Sequence, residues 1–447
     1  MEKTPNFTEG KVFGPLVRFA LPVLAALLLQ TMYGAVDLLV VGQFASAADV
    51  SAVATGTQIM HTVTVIIMGL AMGLTVLVGR RIGAGEGEDA GKIIGTGIWL
   101  FAVLAIATSV VMLFAADPFA RVMRSPEEAF SRTVSYITIC SCGAVFIVAY
   151  NLIGSIFRGI GDSKMPLLTV AFACVLNIAG DLLLVAVFRL GTAGAAIATV
   201  AAQAVSVVLS LLVIRRRRLP FSFSVRDIRP NGANIREILR LGIPIALQDL
   251  LVSVSFLVIT AIVNSLGLIA SAGVGVAERL CGFVMLVPSA YMQAMSAFVA
   301  QNIGACKPER ARRALFCGIA SSLAVGVVMW YLNFFHGQMM AGLFARDAAV
   351  ISAAADYLKA YAIDCLLPSF LFCFIGYFNG CGSTTFVMLQ GFAGAFGVRL
   401  PVSYFVSRNA NASLFHIGLA TPLSTIVQIV ICLLYYFRQK KKEKAEA

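Results

Sequence analysis

The chain has 447 residues, 59% of them hydrophobic and only 13% charged, with a mean hydropathy of +0.90. A soluble domain carries about 25% charged residues, so this composition excludes one and reads as an all-α polytopic membrane protein. The net charge of +12 gathers between apolar segments, which indicates membrane orientation rather than nucleic-acid binding.

The N-terminal residues are polar and modest in charge, with no cleavable signal pattern before the first apolar segment, 15–43. That segment contains Phe19 to Phe44, with a single formal charge at Asp37. It is long enough to cross a bilayer, which needs roughly 20 apolar residues. Pro22 removes a backbone donor near its inner end, and a bend is expected there. An acid at mid-depth costs roughly 2.5–3.5 kcal/mol on insertion, so Asp37 is expected to face a cavity on an ion or substrate path. Further segments at 53–78, 94–115, 133–157, 167–188 and 194–214 complete a set of six. After a polar, basic stretch at 215–240 come 241–265, 273–299, 314–334, 352–377, 386–407 and 416–437, followed by a basic tail, 438–447.

With the N-terminus inside, the inner connections and ends hold 25 of the 34 basic residues, among them Lys3, Arg80, Arg81, Arg158, Arg215 to Arg218, Arg310 and Lys440 to Lys444. This bias is expected to place both termini in the cytoplasm. The expected domains are therefore 1–214, a linker at 215–240, 241–437, and the tail.

The two sets of six repeat. Pro22 in ALPVLA corresponds to Pro244 in GIPIAL, and Val78 to Gly85 aligns with Val299 to Cys306 at an offset of 221. Arg158 to Gly161 aligns with Asn379 to Gly382 at the same offset, and Ala196 to Thr199 with Gly418 to Thr421 at 222. Near-constant spacing at separate places marks a duplicated six-helix unit. Two such units, related by an axis along the membrane normal with a cavity between them, suit a transporter with alternating access.

Few acids lie inside the spans. Asp37 is fifteen residues beyond Pro22, and Asp181 is fifteen beyond Pro166. At 1.5 Å per residue both sit roughly 22 Å past their prolines, at similar depth. Asn177 precedes Asp181 by one turn, on the same face, and Thr199 begins the next span at that depth. Asp37, Asn177, Asp181 and Thr199 are expected to line one pocket whose carboxylates titrate as a pair and suit a proton or Na⁺. The alternative is unrelated inter-helix hydrogen bonds. In the second half the position of Asp37 is Ile259, so no such pair is expected. Gln30, Gln248 and Asp249 are candidate substrate contacts, although Asp249 lies near the cytoplasmic end of its span. Glu278 beside Arg279 reads as a local salt bridge or interfacial anchor, and Asp364 as an acid near a span edge. No CxxC pair occurs among the ten cysteines, so neither a zinc site nor a disulfide framework is expected. No nucleotide loop or catalytic cluster is present, so no enzyme activity and no cofactor is expected beyond a coupling ion.

The pattern of twelve spans in two repeats, with ALPVLAALLLQTMYGAVDLLVVGQF, LVGRRIGAGE, FRGIGDSKMP and NIAGD, resembles the multidrug and toxic compound extrusion (MATE) family over roughly residues 12–437. It looks closest to bacterial branches with an acid in the first span. The resemblance implies a V-shaped, two-lobe fold, a bend at Pro22, a cation site at Asp37 and Asp181, and supporting groups at Tyr33, Asn177 and Thr199. The NorM-type branch carries a Glu eight residues after the proline of the seventh span. Here that residue is Val252, which favours coupling through the first half. The implied function is a monomeric inner-membrane antiporter that exports amphipathic organic cations in exchange for H⁺ or Na⁺. The alternative is a flippase-like exporter of a lipid-linked or endogenous product. The scarcity of basic residues inside the spans, Arg279 and Arg399, argues against it.

Overall fold

The computed structural model describes residues 7–216, 219–409 and 413–446. Lys3, Arg217 and Arg218, counted above as inner basic residues, lie outside them. The described residues are helical, with no β-strand. The first half comprises α1 (Phe13–Phe44), α2 (Ala47–Gly83), α3 (Gly87–Val122), α4 (Glu127–Cys142), α5 (Ala144–Gly159), α6 (Lys164–Asp181) and α7 (Gly191–Arg216). The second comprises α8 (Gly232–Asn264), α9 (Leu268–Val284), α10 (Leu286–Gly304), α11 (Pro308–Phe335), α12 (Gly337–Gly342), α13 (Ala348–Asp364), α14 (Leu367–Gly380), α15 (Thr384–Gly394), α16 (Leu400–Ser407), α17 (Leu414–Gly418) and α18 (Ala420–Glu446).

Among the described residues ten helices are long and apolar enough to cross a bilayer alone, and two bent pairs raise the number to twelve where each pair is one span. The bent pairs are α4–α5, at 55°, and α13–α14, at 48°. They stand at corresponding places in the two repeats. At the first break a Cβ on Gly143 would lie 2.3 Å from Val200, so only glycine lets α7 approach the kink. At the second, Pro368 opens α14, and its ring cannot continue the preceding helix. The basic tail is no separate element, because α18 runs through it to Glu446.

Two compact units emerge, and they part the chain at other residues than the expected domains do. One holds Leu21–Ala246 and Gly304–Cys306; the other holds Glu9–Ala20, Leu247–Ile303 and Lys307–Ala447. The break is not at 215–240, because α7 already extends to Arg216 and α8 starts at Gly232. The connection is instead bound into the first unit by close backbone packing. A Cβ at Gly91 would fall 1.9 Å from the Ser222 carbonyl oxygen, and one at Gly95 would fall 2.2 Å from that of Asp227. With Gly87 these glycines form a one-turn-spaced stripe on α3, the small-residue pattern that admits another backbone. The start of α8 joins the same unit, since a Cβ on Gly69 would meet Ala246 Cα at 2.5 Å and one on Gly73 would meet Gly242 N at 2.6 Å.

At one end of the first unit, Asp49 ties three helices together. Ser46 caps α2 with a reciprocal capping box to Asp49. The Asp49 carboxylate also accepts from Arg132 of α4 at 2.5 Å, and from the Thr192 hydroxyl and amide of α7 at 2.8 and 3.2 Å. In the second unit, the Arg310 guanidinium donates to the carbonyls of Glu9, Gly10 and Lys11 at 2.6, 2.5 and 3.2 Å.

Candidate cation site

The length and apolarity of α1 put Asp37 far from water, and it is buried. α6 ends in Asn177 and Asp181, one turn apart and both buried, and Thr199 stands in α7. The structure brings these four residues together. The Thr199 hydroxyl lies 3.4 Å from Asp37 Oδ2 and 3.0 Å from its own-helix carbonyl at Ala195, so its single proton is shared. Asn177 Nδ2 donates to Thr199 Oγ1 at 3.4 Å. Asp37 and Asp181 lie within electrostatic reach of each other. Tyr33, one turn before Asp37 on the same face, lies within its field and faces Gln203. Immediately after Asp181 the backbone widens into a π-helical stretch, Leu182–Val187, a feature frequent at functional sites.

The site is short of donors. Asp37 Oδ1, Asn177 Oδ1 and both Asp181 carboxylate oxygens are buried without a hydrogen-bond partner. Buried acceptors normally find one, and oxygens of this kind are the ligands that a proton or a small hard cation takes. No group of three or more His, Cys, Asp or Glu side chains that could hold a metal forms among the described residues. A cation here would rest on two carboxylates with the amide and hydroxyl oxygens.

Pro22 lies within α1, which continues unbroken from Phe13 to Phe44. The proline leaves the Arg18 carbonyl without its helical donor. Ala20 and Leu21, just before it, belong to different compact units. Of the expected substrate contacts, Gln30 donates to the Tyr150 hydroxyl at 3.4 Å within the first unit. Gln248 is buried against Gly391 of α15. Asp249 is half-buried on α8.

The second unit holds polar groups that sequence reasoning placed wrongly. Glu278 does not pair with Arg279: Arg279 is exposed, while Glu278 Oε1 is buried and unpartnered. The turn of α9 separates the two side chains by about 100°. Asp364 is no edge residue, because the α13–α14 bend buries it to 2% exposure with Oδ1 unpartnered. Arg399, 6% exposed, donates to Ser255 Oγ at 3.1 Å and stacks over the Phe256 ring at 4.5 Å. Its lone occurrence in an apolar run was the available signal. In the first unit Arg158, counted as a loop residue, turns back to donate to Ser155 Oγ at 2.8 Å, with its Nε buried.

The MatE family model matches residues 22–183 and again 244–405. The chain is 29% identical over 448 residues to the "Probable multidrug resistance protein YpnP" of Bacillus subtilis (strain 168), covering 97% of each chain. It is 25% identical over 398 residues to the "Multidrug export protein MepA" of Staphylococcus aureus (strain N315), covering 87% of each. Among solved structures it resembles a MATE protein in the straight conformation, with TM-score 0.92 and 20% identity over 99% of this chain and 100% of that one. It also resembles an outward-facing multidrug resistance MATE family transporter of the MOP superfamily, with TM-score 0.91 and 21% identity over 98% of each. Those two structures establish the fold alone. The family match spans both repeats, begins at Pro22 and Pro244, and encloses Asp37 in the first and Ile259 in the second, and on it the chain is a multi-pass membrane transporter of the MATE family.

Proposed function

We propose that the protein is a secondary antiporter that exports amphipathic organic cations across the cell membrane in exchange for protons bound at Asp37 and Asp181. The observation that carries this reading is the donor-poor cluster of Asp37, Asn177, Asp181 and Thr199. The names of the relatives, multidrug resistance and multidrug export proteins, support the choice of cargo. Val252, apolar where a second-half acid would serve sodium, supports protons over Na⁺, with any sodium effect acting through the same two acids. The basic residues flanking the inner ends support cytoplasmic termini, and a monomer suffices because each chain carries both repeats.

Two carboxylates facing each other in an apolar surround repel when both are ionised, and a proton or cation between them relieves that cost. Its arrival therefore draws α1 toward α6 and α7, and its departure lets them relax. Pro22 gives α1 the missing hydrogen bond at which such a change can be absorbed. An ion that binds the two arrangements unequally shifts their populations, and that is all coupling requires. Asp249 is the proposed contact for a cationic cargo. Gln30 and Gln248, engaged with Tyr150 and Gly391, are secondary.

The test is efflux of a fluorescent organic cation from proteoliposomes with a pH gradient or a sodium gradient imposed separately. A pH gradient should drive efflux, and Asp37→Asn and Asp181→Asn should each reduce it to near background at normal expression. Wild-type efflux by Asp37→Asn would overturn the reading.

A further inference from the structure

The repeat offset is 221 at the glycine-containing connections and 222 at Pro22 and Pro244, at Thr199 and Thr421, and at the match ends 183 and 405; at 222 each residue of the first unit's cation site falls on a partner in the second. Asp37 falls on Ile259 and Asp181 on Ser403, so both acids are gone. Tyr33 falls on Ser255, Thr199 on Thr421, and neutral Asn177 on Arg399. The charged group at these positions in the second unit is thus a fixed cation that the chain itself supplies. Its hydrogen bond to Ser255 joins two repeat positions of the first unit's site, those of Tyr33 and Asn177.

The surroundings agree. Ile259 sits in an apolar cluster with Cys281, Tyr357 and Tyr361, and the guanidinium acts electrostatically on both tyrosines and on Asp364. Glu278 of α9 and Thr425 of α18 complete the polar groups facing this region. Asp364 Oδ1 and Ser403 Oγ are buried without partners. A buried guanidinium is costly unless an opposite charge lies nearby, and so is a buried carboxylate. Arg399 lies within electrostatic reach of Asp364, which also faces Thr425, and forms no direct ion pair with it among the described residues.

We propose that Arg399 is a built-in counter-cation that balances Asp364 and closes the second unit's counterpart of the cation site to external ions. Arg399 is in this sense a specificity-determining residue: it leaves the first unit as the one place where an exchangeable ion is needed. The inference rests on the proposed cation site of the first unit, and its test reads ion binding by the second unit alone, so that the two can fail separately.

The experiment therefore uses the full-length protein with the first site neutralised, Asp37→Asn/Asp181→Asn, and reads thermal midpoint in detergent as choline chloride is replaced by sodium chloride at constant ionic strength. That protein should be indifferent to the exchange. Adding Arg399→Gln should lower the midpoint in choline and restore it with sodium, as expected when an ion binds only the folded state. Adding Asp364→Asn to that variant should abolish the sodium response and recover the midpoint, whereas Arg399→Lys should remain indifferent. A purely structural role for Arg399 would lower the midpoint without any sodium response. No sodium response in the Arg399→Gln variant, or one that survives Asp364→Asn, overturns the proposal. If Arg399→Gln does not fold, the paired Arg399→Gln/Asp364→Asn variant should. Its equal failure would overturn the proposal too.

Discussion

Gly91 tests how the connection between the repeats is held. A methyl at this position would stand 1.9 Å from the Ser222 carbonyl oxygen, about 1.5 Å short of ordinary contact, and the atom in the way is backbone rather than a pliable side-chain tip. Alanine in a helix interior gains about 0.5–1 kcal/mol over glycine, and overpacking costs typically 1–3 kcal/mol. Because backbone cannot give way as a side-chain tip does, the cost falls in the upper part of that range, about 2–3 kcal/mol, and the net loss for Gly91→Ala is about 1–2 kcal/mol. It falls on the seating of the connection, because that segment is exposed and can move while α3 cannot. In population terms this is a factor of about 5–30 in local opening. Limited trypsin digestion in detergent reads it at the exposed Arg226, where cleavage should accelerate by that factor in the regime of fast opening and closing. Gly275→Ala is the control, since nothing lies within 4 Å of a Cβ there. Wild-type cleavage in Gly91→Ala, or equal acceleration in Gly275→Ala, would refute the packing argument.

Asp49→Ala removes a capping box and strands the Thr192 amide and hydroxyl. It should destabilise the protein by about 2–4 kcal/mol, seen as a lowered thermal midpoint. Asp49→Asn, which keeps an acceptor, should lose less. Arg310→Ala deletes three hydrogen bonds to the carbonyls of residues 9–11. It should hasten tryptic cleavage after Lys11 while leaving the global midpoint within about 1 kcal/mol of the wild type.

The spans and the repeat were legible because a bilayer leaves so few options: twelve apolar runs and a near-constant offset between matching segments already dictate the architecture. The meeting of Asp37 with Asn177, Asp181 and Thr199 was legible for the same reason, since depth can be counted from a proline at a fixed rise per residue. What failed was burial that depends on bends and on backbone contact. Asp364 reads as an edge residue until the α13–α14 bend turns it inward. Arg399 reads as one scarce basic residue until Ser255 and Phe256 are found against it. The polar connection at 215–240 reads as a boundary because composition marks it so. The stripe of Gly87, Gly91 and Gly95 that binds it to the first unit was visible in the sequence, but only as glycines at one-turn spacing with no indication of what they admit.

Four oxygens of the proposed cation site, on Asp37, Asn177 and Asp181, have no donor, and each buried orphan costs about 1–3 kcal/mol. An apolar side chain would abolish that cost, and the repeat position Ile259 carries one. On the proposed reading, a site that keeps the acids is less stable when empty than it could be, the form a stability–function trade-off would take there. Asp37→Asn exposes it. The amide removes the repulsion between two carboxylates and adds a donor that can reach Asp181, so in alkaline, sodium-free detergent its thermal midpoint should exceed that of the wild type. Acid or a bound cation satisfies the same oxygens in the wild type, and the difference should shrink as either is supplied. The two measurements, midpoint and efflux driven by a pH gradient, should therefore move in opposite directions for one substitution. If Asp37→Asn lowered the midpoint in alkaline, sodium-free buffer, Asp37 would be an acid already satisfied within the fold, with nothing left for an ion to do.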